Sequence, residues 1–562
     1  MLKRKFGVIL VLLVLLLYPG LPVSGVWGHQ ENTTGIKTAN GESMRSMAFE
    51  IIEGLIGDLV QTGDQAKWPR IIDPPPRDWD EDWNQYFYGY HWGTAGIADV
   101  LLSFYLISLN KTLLEYAEKA ANFIIKGARA DENGGIYWFT GEGTRNRYIG
   151  KKYGNAGIAS LLLHLYQYTK NSTYSELLNR TLITLKYQAN TNLSLNGGVK
   201  YWGYGMNDII GVSDFNYGTV GIVSAFLEAG HALNEPEWKN IAISGARWLE
   251  SIAMKENPGT MALPWSTSSP YDSHFYTGLG SGNAGIGSFF LNLYDSTGDE
   301  RWLTNAKRIG NWLLEKTKGD NWANGGVVYS TGIDSTDIIT GIDAGAAGVG
   351  KFFLELYKKS MDLRYANGAI DAADWLLRSA ISTDAGFKWP KAITGEDSEV
   401  YMTGYSYGAA GIGAFFGEMY ETFGCPQFKN MLLGAANWLE TQKTNHNRFP
   451  VATGKPRLTT SLSQYGHHLS YYDGSAGIAL FLLNANYQIN ATPLFPDLIS
   501  CEGIGSEEYL QPEDLLLSVL GSIAVSSMVI IPAIRAKYKK QRHLDNPLND
   551  EAAINPSLNR SD

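Results

Sequence analysis

The chain has 562 residues, of which 44% are hydrophobic and 18% are charged, and this balance argues against a largely disordered protein. The formal net charge is −10 and long basic patches are confined to the two ends, so a nucleic-acid-binding protein is not expected. The length suffices for several average domains or for one large repetitive one.

The first 25 residues have the layout of a secretory signal peptide. Lys3, Arg4 and Lys5 precede the apolar run 8–17, and small residues follow at 23–25. Residues 26–43 are expected to form a linker between this peptide and the fold.

A glycine-headed phrase recurs seven times within residues 44–490. The copies are GTAGIADVLLSFY at Gly93, GNAGIASLLLHLY at Gly154, GTVGIVSAFLEAG at Gly218, GNAGIGSFFLNLY at Gly282, GAAGVGKFFLELY at Gly345, GAAGIGAFFGEMY at Gly408 and GSAGIALFLLNAN at Gly474. The spacings of 61 to 66 residues predict a chain built from seven structural repeats.

Each repeat also contains a second helical phrase. An aromatic residue stands thirty residues after the first glycine in five repeats, at Phe123, Trp248, Trp312, Trp375 and Trp438. Apolar residues at three- and four-residue steps around it predict an amphipathic helix. Each repeat is therefore predicted to be a helical hairpin with a glycine-headed inner helix and a bulkier outer helix. Phrases such as NGGIYW near Gly134, NGGVVYS near Gly325 and DAGFKWP near Gly386 predict tight turns or short β-ribbons after the outer helices.

The arrangement of the hairpins follows from the two ends of the repeat region. Positions i and i+3 share a helix face, so the paired glycines predict close packing between neighbouring inner helices. The seventh repeat has an inner helix, 475–488, without an outer partner, while the amphipathic segment Met47–Gln61 precedes the first repeat. Pairing these two segments predicts an all-α, closed (α/α)7 toroid. An open solenoid, with both segments unpaired, is the alternative.

A second long apolar segment follows the repeats. Residues 491–514 are expected to be a linker, and residues 515–534 contain no charge and are long enough to cross a bilayer as a helix. Basic residues follow at once, so the tail 535–562 is expected in the cytoplasm and the toroid outside. The chain is thus expected to be a single-pass type I protein of the cell membrane. A buried soluble helix is the alternative.

Two further features bear on export. Six N-glycosylation triplets fit an exported chain, at Asn32, Asn110, Asn171, Asn179, Asn192 and Asn490. Cys425 and Cys501 could form one disulfide in an oxidising compartment, and two cysteines cannot make a cysteine-rich zinc site.

Seven hairpins with Gly-x-x-Gly at the head of each inner helix resemble the lanthionine synthetase C-like (LanC-like) family, over about residues 44–490. Six-hairpin glycosidase-type toroids are the nearest architecture, with one hairpin fewer. The resemblance implies an (α/α)7 barrel with a central cavity. It also implies, for the catalytic members, a zinc ion that activates peptide cysteine thiols for addition to dehydrated serine or threonine.

The positions of this chain that correspond to the family's metal ligands are occupied by other residue types. Its first Cys falls on Asp343, its Cys-His pair falls on Ser406 and Tyr407, and its middle His falls on Ser281. A thiolate-activating zinc needs soft ligands in a tetrahedral set. We therefore expect the fold of the family without its zinc cofactor or its thioether chemistry.

Residues just ahead of the repeat glycines should line the mouth of the cavity, where helix N-termini favour anionic groups. The candidate catalytic residues are Asp343, Asp473, His91 and Tyr407, and the candidate ligand-binding residues are Tyr90, Trp92, Tyr153, Tyr217, His274, Ser406, His467, His468 and Tyr472. The simpler interpretation of each is a helix cap or a loop hydrogen bond.

Ring closure makes the first and seventh repeats neighbours, which would bring His91 close to His467, His468 and Asp473. No cofactor is predicted, but these imidazoles would be the ligands if a metal bound. With the carboxylate they could instead serve as general acid and base. Solvent-exposed loop histidines are the simpler alternative.

Acidic and aromatic residues also recur in the loops ahead of the repeats. Six tryptophans lie in or near these loops, at Trp92, Trp138, Trp202, Trp265, Trp322 and Trp389, and carboxylates include Asp214, Asp337 and Asp397. Glycosidases need paired carboxylates, and aromatic faces suit sugar rings, so this composition fits a carbohydrate ligand. The alternative is that the tryptophans roof the barrel.

Three functions remain open at this point. The first is a LanC-like protein that binds or modifies a peptide or another ligand without zinc. The second is a carbohydrate-active toroid that hydrolyses or cleaves glycans, and the third is a non-catalytic receptor or scaffold. The expected partners are a membrane, through one C-terminal span, and a peptide or glycan ligand.

Overall fold

The computed structural model describes residues 41–69, 71–72, 86–194, 198–268, 274–316, 338–444, 446–454, 467–496, 498–502 and 504. The predicted signal peptide, the apolar segment 515–534 and the tail 535–562 lie outside these residues. Within the described part of the chain, no helix is both long enough and apolar enough to cross a membrane. The chain divides into two units, Met1–Leu494 and Phe495–Asp562, and every described helix and strand lies in the first.

The described part of this first unit contains fourteen α-helices. In chain order they are α1 Gly41–Gly57, α2 Thr94–Ser108, α3 Lys111–Gly127, α4 Asn155–Thr169, α5 Ser172–Tyr187, α6 Thr219–Ala232, α7 Pro236–Ile252, α8 Asn283–Thr297, α9 Glu300–Glu315, α10 Ala346–Ser360, α11 Leu363–Arg378, α12 Ala409–Phe423, α13 Pro426–Gln442 and α14 Ser475–Gln488. The even-numbered helices begin at the repeat glycines and are buried around most of their circumference. The odd-numbered helices α3, α7, α9 and α11 bury one stripe, as amphipathic outer helices do.

The helices close into a ring, as predicted. Each even-numbered helix packs against the even-numbered helices on both sides, and α14 packs against α2. Helix α1 is the outer partner of α14, so the first and last helices of the repeat region form the seventh hairpin. The predicted span Met47–Gln61 was wrong at both ends, because the helix begins at Gly41 and stops at Gly57, ahead of a short strand.

Polar contacts hold α1 against the chain that follows α13. The Arg448 guanidinium makes a two-pronged ion pair with the largely buried Asp58 carboxylate, and its Nε lies 2.8 Å from Asp58 Oδ2. Lys443 Nζ lies 2.5 Å from Glu50 Oε2, and Asn447 donates to the Glu50 carbonyl at 2.9 Å. These contacts span nearly four hundred residues of sequence and hold the ring closed.

The strands are short and pair only in twos among the described residues. They are β1 Val60–Thr62, β2 Gln65–Lys67, β3 Ile71–Ile72, β4 Arg129–Ala130, β5 Ile136–Tyr137, β6 Asn190–Asn192, β7 Val199–Tyr201, β8 Ile381–Ser382, β9 Phe387–Lys388, β10 Val400–Met402, β11 Ala452–Gly454 and β12 His467–His468. The antiparallel pairs β4–β5 and β8–β9 are the ribbons predicted around Gly134 and Gly386. The ribbon predicted near Gly325 lies outside the described residues.

Most of the loop tryptophans are core residues. The buried Trp138, Trp202 and Trp389 each donate their Nε1–H, at 2.7 Å, to a carbonyl near the end of the preceding outer helix. Trp68 makes the equivalent bond to the Leu55 carbonyl of α1. The carbohydrate-stacking role considered for Trp138, Trp202 and Trp389 is therefore wrong, because their rings roof the hairpins and are closed to a ligand.

The repeat glycines act differently from the expectation. At Gly411, a built Cβ would lie closer than 3.0 Å to the carbonyl oxygen of Tyr405, six residues earlier in the same repeat. The second glycine of every repeat meets the equivalent carbonyl, and the next obstacle is usually a side chain of the neighbouring repeat's loop. The glycines are needed chiefly because each loop folds back over the first turn of its own helix.

The structure describes both cysteines and several of the asparagines of the glycosylation triplets. Both Cys425 and Cys501 are disulfide-bonded. Asn110 and Asn171 cap α3 and α5 by accepting from the backbone N–H two residues on. Glycosylation itself stays a prediction.

The loop-over-helix contact gives a direct test. We expect Gly411→Ala to lower the free energy of unfolding by about 1–3 kcal/mol, because the added methyl meets backbone that cannot move away. Gly57→Ala is the matched control, since nothing lies within 4 Å of a Cβ there. Denaturant unfolding of both variants measures the difference, and equal stabilities would contradict this role.

Candidate functional site

The loops ahead of the inner helices are joined by a circle of backbone hydrogen bonds. In the first six repeats, the residue two places before the repeat glycine donates its N–H to the carbonyl of its counterpart in the next repeat. Six such bonds of 2.7–2.9 Å run in order through His91, Lys152, Asn216, Gly280, Asp343, Ser406 and Tyr472. The circle places seven equivalent positions at one end of the ring, and we call that end the mouth.

Four side chains meet at the centre of the mouth, three from residues of this circle and one from Tyr407, which follows Ser406. The buried Asp343 carboxylate accepts from Asn216 Nδ2 at 2.9 Å and from the Tyr407 hydroxyl at 3.1 Å. Lys152 Nζ lies 3.7 Å from Asp343 Oδ2. We call Lys152, Asn216, Asp343 and Tyr407 the central cluster. It joins residues from four different repeats.

The charges of this cluster are fixed by their surroundings. Burial alone would lower the pKa of Lys152, but the Asp343 carboxylate raises it well above its ordinary value, so the ammonium persists. Burial also raises the pKa of the Tyr407 phenol, which stays a proton donor to Asp343. Gly280 leaves the space that Asp343 fills, since a Cβ there would overlap the carboxylate.

A second carboxylate lies at the seam between the first and seventh repeats. Asp473 Oδ2 accepts from His91 Nε2 at 3.1 Å and from Trp92 Nε1 at 2.8 Å. Burial, and next the Lys152 charge, lower the pKa of His91 to about 4, so its imidazole is neutral near pH 7. Burial opposes ionisation of Asp473, but the charges of His91 and Lys152 and the two hydrogen bonds lower its pKa overall.

The residues one place before the glycines form the accessible surface of the mouth. Trp92, Tyr153, Tyr217 and Tyr407 are each half-buried there, and we call them the mouth aromatics. The Trp92 and Tyr153 ring centroids lie 4.8 Å apart, and those of Tyr153 and Tyr217 lie 5.7 Å apart. The surface is therefore a continuous aromatic band beside the Asp473 carboxylate.

Asp214 supports the mouth from behind. It is fully buried and accepts from Trp265 Nε1 at 2.7 Å and from the N–H groups of Tyr217 and Gly218. Burial raises its pKa to about 7 in spite of these donors. Its role is to position Tyr217, because no part of the carboxyl reaches the surface.

The inside of the ring below the circle is polar. Tyr90, three places before Gly93, donates its hydroxyl to Asp99 on α2, and His164 Nδ1 of α4 lies 2.7 Å from the same carboxylate. Lys151 contacts Ser160 on α4 of its own repeat and Glu228 on α6 of the next repeat. On the other side, Lys351 Nζ lies 2.5 Å from Glu418 and 3.5 Å from Glu355.

These interior residues were not identified as candidates from the sequence, although they recur at fixed distances from the repeat glycines. Asp99, Ser160, Ser288 and Lys351 each stand six places after a repeat glycine, and His164, Glu228, Glu355 and Glu418 stand ten places after one. Positions four apart share a helix face. A polar pair recurring at these two places in otherwise apolar helices indicates the helix face that points to the inside of the ring.

The structure brings most, but not all, of the predicted site residues together. Asp343 and Tyr407 meet at the centre, and His91, Trp92, Tyr153, Tyr217, Tyr472 and Asp473 meet at the seam and rim. Tyr90 instead turns to the inside of the ring, and Ser406 is fully buried and contributes its backbone to the circle. His274 is exposed beside Tyr276.

The predicted histidine group is divided. His467 and His468 form strand β12, which pairs with β3, and His468 is buried. In the described residues, no group of three or more His, Cys, Asp or Glu side chains could hold a metal ion. At the positions of the family's zinc ligands, Asp343 is already bonded to Lys152, Asn216 and Tyr407, and the ammonium would repel a cation. These residues do not fit zinc.

A closed ring of seven helical hairpins, with its polar site at the glycine-headed ends of the inner helices, defines an α/α toroid. Residues 143–365 and 214–465 match the family model described as lanthionine synthetase C-like protein, and together these matches cover more than half of the chain. The chain belongs to the lanthionine synthetase C-like family. Residues 61–182 also match the model of glycosyl hydrolase family 76.

Solved structures of two kinds are similar to this chain. Nisin cyclase shows 14% identity over 80% of this chain and 98% of its own, with a TM-score of 0.49. A family 76 α-mannanase of Bacteroides thetaiotaomicron shows 12% identity over 80% of this chain and 96% of its own, with a TM-score of 0.45. No curated protein is significantly similar to the chain in sequence.

The buried ion pair of the central cluster predicts a non-additive effect on stability. Asp343→Asn should lower the free energy of unfolding by about 3–5 kcal/mol, because it leaves the Lys152 ammonium buried without a counter-charge. The double variant Asp343→Asn/Lys152→Met should be more stable than Asp343→Asn alone. Denaturant unfolding in a double-mutant cycle measures this, and additive losses would show that the two charges do not interact.

The surroundings of His91 predict that its imidazole titrates with an unusually low pKa. His91 should titrate near pH 4 by NMR, Asp473→Asn should lower that pKa, and Lys152→Met should raise it. The folded-state pKa lies below that of an unfolded histidine, so His91 should reduce stability as pH falls from about 6.5 to about 4. Glu237→Gln, on the outer helix α7, should leave the titration unchanged. A His91 that titrates near 6.5 would contradict this environment.

Proposed function

We propose that the mouth of this LanC-like ring binds a carbohydrate, and that the protein does not carry out zinc-dependent thioether formation. The observation that carries the proposal is the band of mouth aromatics beside an ionised Asp473. Ligand sites are commonly lined by aromatic rings with a few fixed polar groups, and this surface has that composition. The family 76 match over residues 61–182 supports the same ligand class, since those residues include Trp92 and Tyr153.

The polar groups suit hydroxyl recognition. Asp473 is held by His91 and Trp92 and still presents carboxylate at the surface, where its side chain is 13% exposed. A charged acceptor fixed between aromatic faces can accept from a sugar hydroxyl while the rings cover the apolar face of the sugar. Such a site binds without any metal.

Binding is better supported than hydrolysis. A glycosidase needs one carboxyl that is protonated and one that is ionised, both facing the scissile bond. Here the Asp473 pKa is lowered, and Asp214 behind the mouth, whose pKa is raised, is fully buried. Hydrolysis remains a second candidate because of the family 76 match. A peptide ligand remains a third, because the chain belongs to the LanC-like family.

We extend the proposal to location. The signal-peptide layout of residues 1–25 and the apolar segment 515–534 with its basic flank support a ring held outside the cell by one C-terminal span. A carbohydrate ligand would then be met at the cell surface. Detergent partitioning of the full chain and protease accessibility on intact cells test this placement.

Loss of the mouth aromatics should abolish ligand binding without unfolding the ring. We expect Trp92→Ala and Tyr153→Ala each to weaken binding of oligosaccharides by about tenfold or more, because each removes part of the aromatic surface. Tyr187→Ala is the matched control, since Tyr187 is 56% exposed on the outer helix α5. Isothermal titration calorimetry over a panel of neutral and acidic oligosaccharides and of peptides measures the affinities.

The outcomes separate the three candidate ligands and activities. Binding of peptides alone, or of no oligosaccharide in the panel, would contradict the carbohydrate proposal. Product analysis of the same mixtures by mass spectrometry tests hydrolysis, and Asp473→Asn should abolish any turnover that depends on the mouth. Turnover that survives Asp473→Asn and Trp92→Ala would place hydrolysis elsewhere in the chain.

A further inference from the structure

A cleft of about 690 Å³ lies beside the first repeat and shares no residue with the central cluster. The end of α3, strand β4 and the loop 139–147 surround it. Its lining includes four basic residues, Lys126, Arg129, Arg145 and Arg147, together with the aromatic rings of Tyr88 and Phe139. We call it the rim cleft.

Within the part of the chain that the structure describes, the cations of the rim cleft have no carboxylate partner. Among the described residues, no carboxylate lies within ion-pair distance of Lys126 or of the three arginines. The one carboxylate in the lining, Glu142, is taken by Lys67, whose Nζ lies 2.6 Å from it. Four exposed cations therefore surround one concave surface in a chain whose net charge is −10.

The loop that carries two of the arginines is held in place. Thr140 donates its N–H to the Asn146 carbonyl at 2.9 Å, and Glu142 donates its own to the Tyr86 carbonyl at 3.0 Å. The Arg147 carbonyl accepts from Met206 in the next repeat at 2.9 Å. The arginines thus project from backbone that is already ordered, which lowers the entropy cost of binding.

Aromatic residues lead from the end of the loop 139–147 to the mouth. Tyr148 follows Arg147 directly, and its ring centroid lies 6.1 Å from that of Tyr153, one of the mouth aromatics. Tyr148 also packs edge-on against Tyr204, which packs against Tyr217. A ligand longer than one sugar could therefore run from the mouth along these rings to the arginines.

We propose that the rim cleft binds an acidic group, a sulfate, phosphate or carboxylate, on the glycan that occupies the mouth. Guanidinium groups pair with such oxyanions through two parallel hydrogen bonds, and lysine adds a point charge. The inference deepens the proposed function and rests on it, because it names the ligand class as an acidic glycan.

The test compares an acidic and a neutral ligand of equal length. Sulfated dextran oligosaccharide, oligogalacturonate and neutral dextran oligosaccharide are titrated into the full chain, alongside inorganic sulfate and inorganic phosphate. The variant Arg145→Gln/Arg147→Gln should weaken binding of the acidic oligosaccharides by about tenfold or more and leave the neutral one unchanged. The control Arg45→Gln/Arg247→Gln removes the same charge from exposed positions on α1 and α7 and should change neither.

Each result either supports or overturns the inference. Acidic oligosaccharides should bind more tightly than the neutral one, and the advantage should shrink at high salt. Equal binding of the acidic and neutral oligosaccharides would overturn the proposal that the rim cleft binds an acidic group, and it would leave the mouth proposal unaffected. A second contrary result is that acidic oligosaccharides bind more tightly than the neutral one in a way that is lost in the arginine variant and kept in Trp92→Ala. That result would overturn the mouth proposal and the link between the two sites. Inorganic sulfate or phosphate bound as tightly as the oligosaccharides would show a free-anion site and overturn the glycan assignment.

Discussion

The circle of backbone hydrogen bonds at the mouth is the constraint on which the rest of the structure depends. Each bond joins a loop to its counterpart one repeat away, so no hairpin can rotate without breaking a bond to a neighbour. A single backbone bond contributes about 1 kcal/mol net, but six in sequence fix the spacing of all the inner helices. The helices must also approach this circle closely, and the repeat glycines permit that approach.

The sequence predicted the fold well, because the fold is periodic. Seven glycine phrases at a near-constant spacing determine the number of hairpins, and the unpaired segments at the two ends determine closure. Gly411 shows a feature of the fold that periodicity does not predict. Its i, i+3 spacing correctly marks a crowded face, but the crowding atom is the Tyr405 carbonyl of its own loop, and loop conformation has no periodic signature.

The sequence predicted many of the residues that lie at the site, but it did not predict which of them contact one another. Asp343, Asp473 and His91 were selected because they stand just ahead of the repeat glycines, and all three lie in or beside the central cluster. The partners of Asp343 stand 64 to 191 residues away, so only ring geometry brings them together. His467 shows the opposite case, since it is close in sequence to Asp473 but belongs to a strand that pairs with Ile71–Ile72.

The central cluster places a positive charge of the chain itself beside Asp343, where the resemblance puts one of the family's metal ligands. A bound cation would tie together ligands from several repeats, and here the Lys152 ammonium contributes the positive charge from within the chain. A buried ion pair recovers its desolvation cost only when further hydrogen bonds satisfy the remaining lone pairs, and Asn216 and Tyr407 supply them. The ammonium is covalently held and pairs with Asp343, so it helps to stabilise the mouth. The partly exposed surface beside this buried cluster is formed by the mouth aromatics.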